Sequence, residues 1–104
     1  TFKKVTTAEG HIVLVDFYAD WCQPCKVLSP ILKQLTEDLS TETASRQPLD
    51  LVTINSDTEE GRELCQWFKV RVLPTVVAFQ GGKAIKTLTG TLREHQVHQF
   101  LREI

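Results

Sequence analysis

Cysteine is scarce in this chain, with three among 104 residues. That is too few for a small scaffold stapled by disulfides, and an odd number leaves at least one thiol unpaired, which points to an intracellular reducing compartment. An excess of charge of either sign is also lacking. Twelve basic residues stand against thirteen acidic ones, giving a formal net charge of -1. They are scattered along the chain, so there is no electrostatic footprint for nucleic acid or an anionic membrane. Long apolar runs are missing: Ile12 to Val15 is cut by Asp16 and is far too short to cross a bilayer. There are no internal repeats and no low-complexity tracts. A second hydrophobic core has no room, so residues 1–104 are expected to form one domain. The chain opens on Thr1 rather than Met, which leaves a start residue, a targeting segment or a preceding domain open.

What is present alternates between two periodicities. His11 to Tyr18 is a nearly continuous apolar run rich in β-branched and aromatic residues, which predicts a strand buried on both faces at the centre of a sheet. From Cys25 to Leu39 the residues Leu28, Ile31, Leu32, Leu35 and Leu39 recur at steps of three and four, the mark of a helix with one face on a core. Pro30 lies inside that helix and is expected to bend it. Residues 40–48 are polar, small and aperiodic, and predict an exposed loop. Leu49 to Ile54 returns to strand composition. Asp57 with Glu60 forms a capping pair for a helix through Leu64, Trp67 and Phe68. Pro74 precedes the run Thr75 to Phe79, and Gly81-Gly82 supplies a tight antiparallel turn into Ala84 to Thr89. Thr91 to Glu94 matches a capping box for a last helix whose buried stripe is Val97, Phe100, Leu101 and Ile104. The order βαβαββα predicts an α/β fold with a central mixed sheet covered by helices.

The chemistry gathers at Trp21-Cys22-Gln23-Pro24-Cys25-Lys26, just beyond the carboxyl end of the first strand, where α/β sheets collect their sites. Attack on a disulfide needs a thiolate, so an exchange cysteine must ionise more readily than a free thiol. A cysteine at a helix mouth faces unpaired backbone N–H groups and the positive end of the macrodipole, and Lys26 adds a nearby positive charge. Cys25 follows about one turn later, so the sulfurs can bond while Cys25 stays the more sheltered. Cys22 is thus the attacking thiol and Cys25 the resolving one. Pro24 stiffens the loop and has no N–H to over-stabilise the thiolate, which favours a reductant over an oxidant. Asp16, in an apolar strand, asks for its own explanation; burial raises a carboxyl's pKa and makes it a proton acceptor near neutrality.

The stretch VDFYADWCQPCK resembles the active-site region of thioredoxins, and the resemblance continues through Pro30, Val72-Leu73-Pro74-Thr75, Gly81-Gly82 and Gly90, nearly the whole chain in order. It implies the thioredoxin fold and a protein-disulfide reductase and electron carrier that serves cell redox homeostasis. It also implies that Asp16 lies beneath the dithiol and deprotonates Cys25, and that Pro74 is cis and packs on the dithiol. The backbone of Leu73 is implied to pair with an extended substrate, with Trp21, Pro24, Leu73 and Gly90 forming an apolar docking surface around Cys22. Implied partners are disulfide-containing proteins and an NADPH-dependent thioredoxin reductase. The chain itself is expected to be a monomer with no bound cofactor or metal, in the cytoplasm or a mitochondrial matrix. Three departures stand out. Gln23 replaces the usual glycine beside the attacking sulfur, with consequences for the reduction potential. Tyr18 replaces a frequent tryptophan. Thr53 falls where many members carry a lysine near the buried acid. The short first strand usual in the family precedes the region matching Phe2 to Val5.

Rival readings follow from the same residues. A zinc site would need four ligands from Cys22, Cys25, Cys65, His11, His95 and His98, with no second close cysteine pair. Cys65 reads as a small buried hydrophobe, with a regulatory disulfide as its alternative. An oxidase or isomerase, a domain fed by a membrane-anchored reductase, or a chaperone-like adaptor with an incidental dithiol would use the same fold.

Overall fold

The computed structural model describes residues 10–38, 40–90 and 93–104. Seven elements follow in chain order: β1 Ile12–Tyr18, α1 Gln23–Glu37, β2 Leu49–Asn55, α2 Glu59–Trp67, β3 Thr75–Gln80, β4 Lys83–Thr89 and α3 Glu94–Arg102. The four strands form one sheet in the order β2-β1-β3-β4. β1 runs parallel to β2, from Ile12 opposite Leu49 to Tyr18 opposite Asn55. It runs antiparallel to β3, from Ile12 opposite Gln80 to Phe17 opposite Thr75. The mixed α/β sheet expected from the sequence is therefore present, and its apolar strand is interior because both of its edges are paired.

Alternation along β1 sends successive side chains to opposite faces. Ile12 and Leu14 join Val76 and Ala78 under Leu28 and Leu32 of α1 and Val97, Phe100 and Leu101 of α3, with Ile104 closing the edge of that core. Val13, Val15 and Phe17 join Val77 and Phe79 on the other face, against Leu64, Cys65 and Phe68 from the α2 region. Phe68 stands edge-on to Phe79 at a centroid distance of 5.2 Å. Asp16 keeps the parity of Ile12 and Leu14, which puts it on the α1 face.

Several local expectations are corrected. Helix α1 continues unbroken through Pro30, as expected, but ends at Glu37, short of the expected Leu39, with Asp38 as its C-cap; Leu39 lies outside the described residues. The 40–48 segment is not wholly exposed. Thr43 is buried, because its hydroxyl can donate to the Gln47 carbonyl at 3.2 Å, and the Ser45 N–H ties the segment to the Ile104 carbonyl. The cap of α2 is Thr58, not Asp57: Thr58 Oγ1 accepts the Gly61 N–H at 2.9 Å, the geometry of a hydroxyl N-cap. Trp67 is 80% exposed rather than buried. The stripe on the sheet is set by Leu64, Cys65 and Phe68, and at 3.6 residues per turn Trp67 falls about 100° away from its middle.

Gly81 and Gly82 both have positive φ, 58° and 83°, as a two-residue hairpin turn of the primed type requires. Thr91 and Leu92 of the expected last capping box lie outside the described residues. Helix α3 instead starts after Arg93, whose backbone N–H donates to Gln96 Oε1 at 2.8 Å, so the reciprocal contact falls two residues later than the sequence pattern suggested. Among the described residues no helix is long and apolar enough to cross a membrane.

Candidate functional site

β1 delivers the chain to its carboxyl end, and a short turn in which the Cys22 N–H donates to the Ala19 carbonyl at 3.1 Å leads into α1. Cys22 is the N-cap of that helix, with extended backbone angles, and Gln23 and Pro24 follow as its first residues. Proline is tolerated there because N–H groups of the first turn have no helical partner. Cys22 Sγ accepts the Cys25 N–H at 3.2 Å. The sulfur occupies the position a serine or aspartate oxygen takes in an ordinary cap, so the donor that stabilises a cap oxygen here faces sulfur. In the thiolate form this arrangement favours negative charge on Cys22.

Cys22 and Cys25 are joined as a disulfide with Cα atoms 5.3 Å apart, within the usual range for bridged cysteines. They pack with Ala19, and Tyr18 and Leu73 lean on them. The expected difference in shelter is not seen in this oxidised form, in which Cys22 is 3% and Cys25 2% exposed. Each sulfur covers the other once the bond is closed. Lys26 and Gln23 are exposed at the same helix start and Pro24 is half-buried.

The loop before β3 forms the opposite wall. The Leu73–Pro74 peptide is cis, Pro74 is buried and Leu73 half-buried, and the Pro74 carbonyl accepts the Gly90 N–H at 3.0 Å. Gly90 has φ 93°, which favours glycine. Leu73 thus touches the cysteine cluster, while Gly90 is brought to that loop through Pro74. Trp21 is 68% exposed, and its indole N–H donates to Asp57 Oδ2 at 2.9 Å. The backbone carbonyl of Asp57 accepts from Arg62 Nη1. Asp57, read from sequence as a helix cap, is instead the partner that holds Trp21.

Asp16 is fully buried. Its Oδ2 accepts the Ser29 hydroxyl at 2.6 Å, and its Oδ1 has no hydrogen-bond partner among the described residues. Burial pushes its pKa above the ordinary carboxylate value, and the Ser29 hydrogen bond opposes part of that rise. Thr53 is its register partner on β2. A cleft of about 310 Å³ opens beside it, lined by residues that include Cys25, Lys26, Ser29 and Thr53. Ser29 is a functional candidate that the sequence reading did not single out. The signal was there, since it lies four residues after Cys25 and therefore on nearly the same helix face.

The remaining candidates are dispersed. His11 pairs with Asp50 at 3.0 Å and His98 lies 3.7 Å from Glu94. Cys65 is a free, half-buried thiol packed on the second core. His95 is exposed on α3. Among the described residues no three His, Cys, Asp or Glu side chains converge in a way that could hold a metal ion.

The family model described as Thioredoxin matches residues 1–103. The chain is 31% identical over 90 residues to a thioredoxin of Mycoplasmoides gallisepticum, covering 86% of this chain and 81% of that one. It is 37% identical over 78 residues to a bifunctional thioredoxin reductase/thioredoxin of Mycobacterium leprae, covering 75% of this chain and 15% of the relative. Its fold is similar to that of a solved mutant thioredoxin from Halobacterium salinarum, with a TM-score of 0.75 and 30% identity over 96% of this chain and 79% of that one.

Proposed function

The chain belongs to the thioredoxin family, and on that premise we propose a two-step cycle for its protein-disulfide reductase activity, in which Cys22 attacks and Cys25 resolves. It is a thiol–disulfide oxidoreductase whose working group is the Cys22–Cys25 pair. In the first step the Cys22 thiolate attacks one sulfur of a substrate disulfide, forming a mixed disulfide and expelling the other substrate sulfur as thiolate. In the second, Asp16 takes the proton of the Cys25 thiol, and the Cys25 thiolate attacks Cys22 Sγ. The substrate leaves as a dithiol and the Cys22–Cys25 disulfide carries the oxidation. The observation that carries this reading is Cys22 Sγ standing as the helix N-cap, accepting the Cys25 N–H.

Two electrons must then return to the pair. A thioredoxin reductase that draws them from NADPH is the proposed source; a relative whose name joins reductase and thioredoxin in one protein supports that pairing. Such a cycle needs surroundings that keep the pair reduced, so the cytoplasm or a mitochondrial matrix is the proposed setting. Residues 1–104 are proposed to act as one domain that carries both steps. Trp21, Pro24, Leu73, Pro74 and Gly90 are proposed to seat the substrate. Support comes from exposed Trp21, held by Asp57, and from Leu73 against the cysteine cluster. Gln23, Pro24 and Lys26, at the helix start, are proposed to tune the potential.

The test is turnover of a disulfide-bonded model protein with NADPH and a thioredoxin reductase. Cys22→Ser should abolish it, and Cys25→Ser should accumulate a covalent complex with substrate. Full turnover in either variant would refute the scheme. A strongly oxidising potential for the pair would instead favour an oxidase or isomerase, and partner binding that survives loss of both cysteines would favour an adaptor.

A further inference from the structure

We propose that Ser29 is a positioning residue of the exchange reaction, joining the buried Asp16 carboxyl to the solvent-open cleft beside Cys25 and passing its proton outward. The inference rests on the reading of Asp16 as proton acceptor for Cys25. Three observations carry it. The Ser29 hydroxyl lies 2.6 Å from Asp16 Oδ2. Asp16 is fully buried, whereas Ser29 lines the cleft together with Cys25. The second carboxyl oxygen, Oδ1, has no hydrogen-bond partner among the described residues.

A serine inside a helix ordinarily turns its hydroxyl to water or back to a carbonyl one turn earlier. Ser29 directs it instead across to β1, onto a residue thirteen positions earlier. The hydrogen bond puts Oδ2 in line with the cleft, so a proton taken up on Oδ2 has a route outward through Ser29, while Oδ1 holds no group that would draw it elsewhere. Val76 of β3 and Thr53 of β2 flank Asp16 in the sheet, and the titratable groups on the cleft wall are Tyr18, Asp20, Cys25 and Lys26. Among the described residues only Ser29 hydrogen-bonds the carboxyl.

The proton balance is simple. Cys25 gives its thiol proton to the Asp16 carboxylate, and the resulting carboxylic acid can donate to Ser29 Oγ. As Ser29 accepts that proton it releases its own hydroxyl hydrogen to solvent in the cleft. The serine ends as it began, the carboxylate is restored, and the Cys25 thiolate remains to attack Cys22.

The experiment uses an aromatic disulfide whose released thiolate is coloured. Stopped-flow absorbance follows the second release, as Cys25 resolves the adduct on Cys22, while infrared titration reads the Asp16 carboxyl band. Ser29→Ala should slow that release roughly tenfold at neutral pH, the loss of one hydrogen bond to a charged group, and move the carboxyl titration to higher pH. Ser29→Thr should restore both. In an Asp16→Asn background Ser29→Ala should add nothing. A Ser29→Ala variant with the wild-type release rate and carboxyl titration, beside a slow Asp16→Asn, would overturn the role of Ser29 and leave that of Asp16. Wild-type resolution by Asp16→Asn would overturn both.

Discussion

The indole N–H of Trp21 donates to Asp57 Oδ2 at 2.9 Å, linking the residue before Cys22 to the turn between β2 and α2. An exposed tryptophan has no packing to fix its ring, so this bond decides how its face is presented beside Cys22. Asp57→Ala should therefore raise KM for protein disulfides by about 3–10-fold, the loss of roughly one hydrogen bond, with a smaller effect on kcat. Steady-state kinetics separates the two. Quenching of Trp21 emission in a Trp67→Phe background should report the freed ring, and an unchanged KM would show that Asp57 does not position it.

Burial raises the Asp16 pKa in the folded protein, so between the unfolded and folded values the native state binds more protons than the unfolded chain. Stability is then greatest below the unfolded value and falls as pH rises through the folded one. Asp16→Asn removes that loss. It should be more stable than the wild type at neutral pH, by on the order of 2 kcal/mol for relief of a poorly satisfied buried group, with the gap closing at acid pH. Urea titrations at several pH values check the sign.

Gly61 sits where a Cβ would overlap the backbone carbonyl of Asn55. Neither element can yield cheaply, because Asn55 ends β2 and Gly61 donates its N–H to the Thr58 cap. Gly61→Ala is expected to cost about 2 kcal/mol, as overpacking does, while leaving disulfide turnover unchanged where the variant is folded. Thermal unfolding with a parallel activity assay measures both.

Cys65 packs with Leu64 and Phe68 on the second core and carries no chemistry in the proposed cycle. Cys65→Ala should retain full turnover and lose about 1 kcal/mol of stability, a small cavity's worth. Loss of turnover would give this third thiol a redox role.

The order and type of the elements were legible in the chain because they follow from local periodicity. The run His11 to Tyr18 could be read as doubly buried without knowing its partners, and the steps from Leu28 to Leu39 marked the face of α1. Caps were less legible. Thr58 displaced Asp57, and Gln96 rather than Glu94 reaches back at α3, because several neighbouring residues at each start can cap and only the path of the entering chain selects one. Trp67 misled for a related reason: an aromatic near the stripe looks like core until the sheet fixes which arc of the helix is covered.

By itself, then, the sequence determined a dithiol one turn apart at a helix mouth, since N-cap geometry needs nothing beyond a few consecutive residues. It also determined that an acid lay in an apolar strand. Only the tertiary structure decided what meets that acid and that tryptophan. Ser29 reaches Asp16 across thirteen residues and Asp57 reaches Trp21 across thirty-six. Those contacts depend on which helix the crossover lays on which face of β1 and on the register of β1 with β2, both set by the packing of the whole sheet.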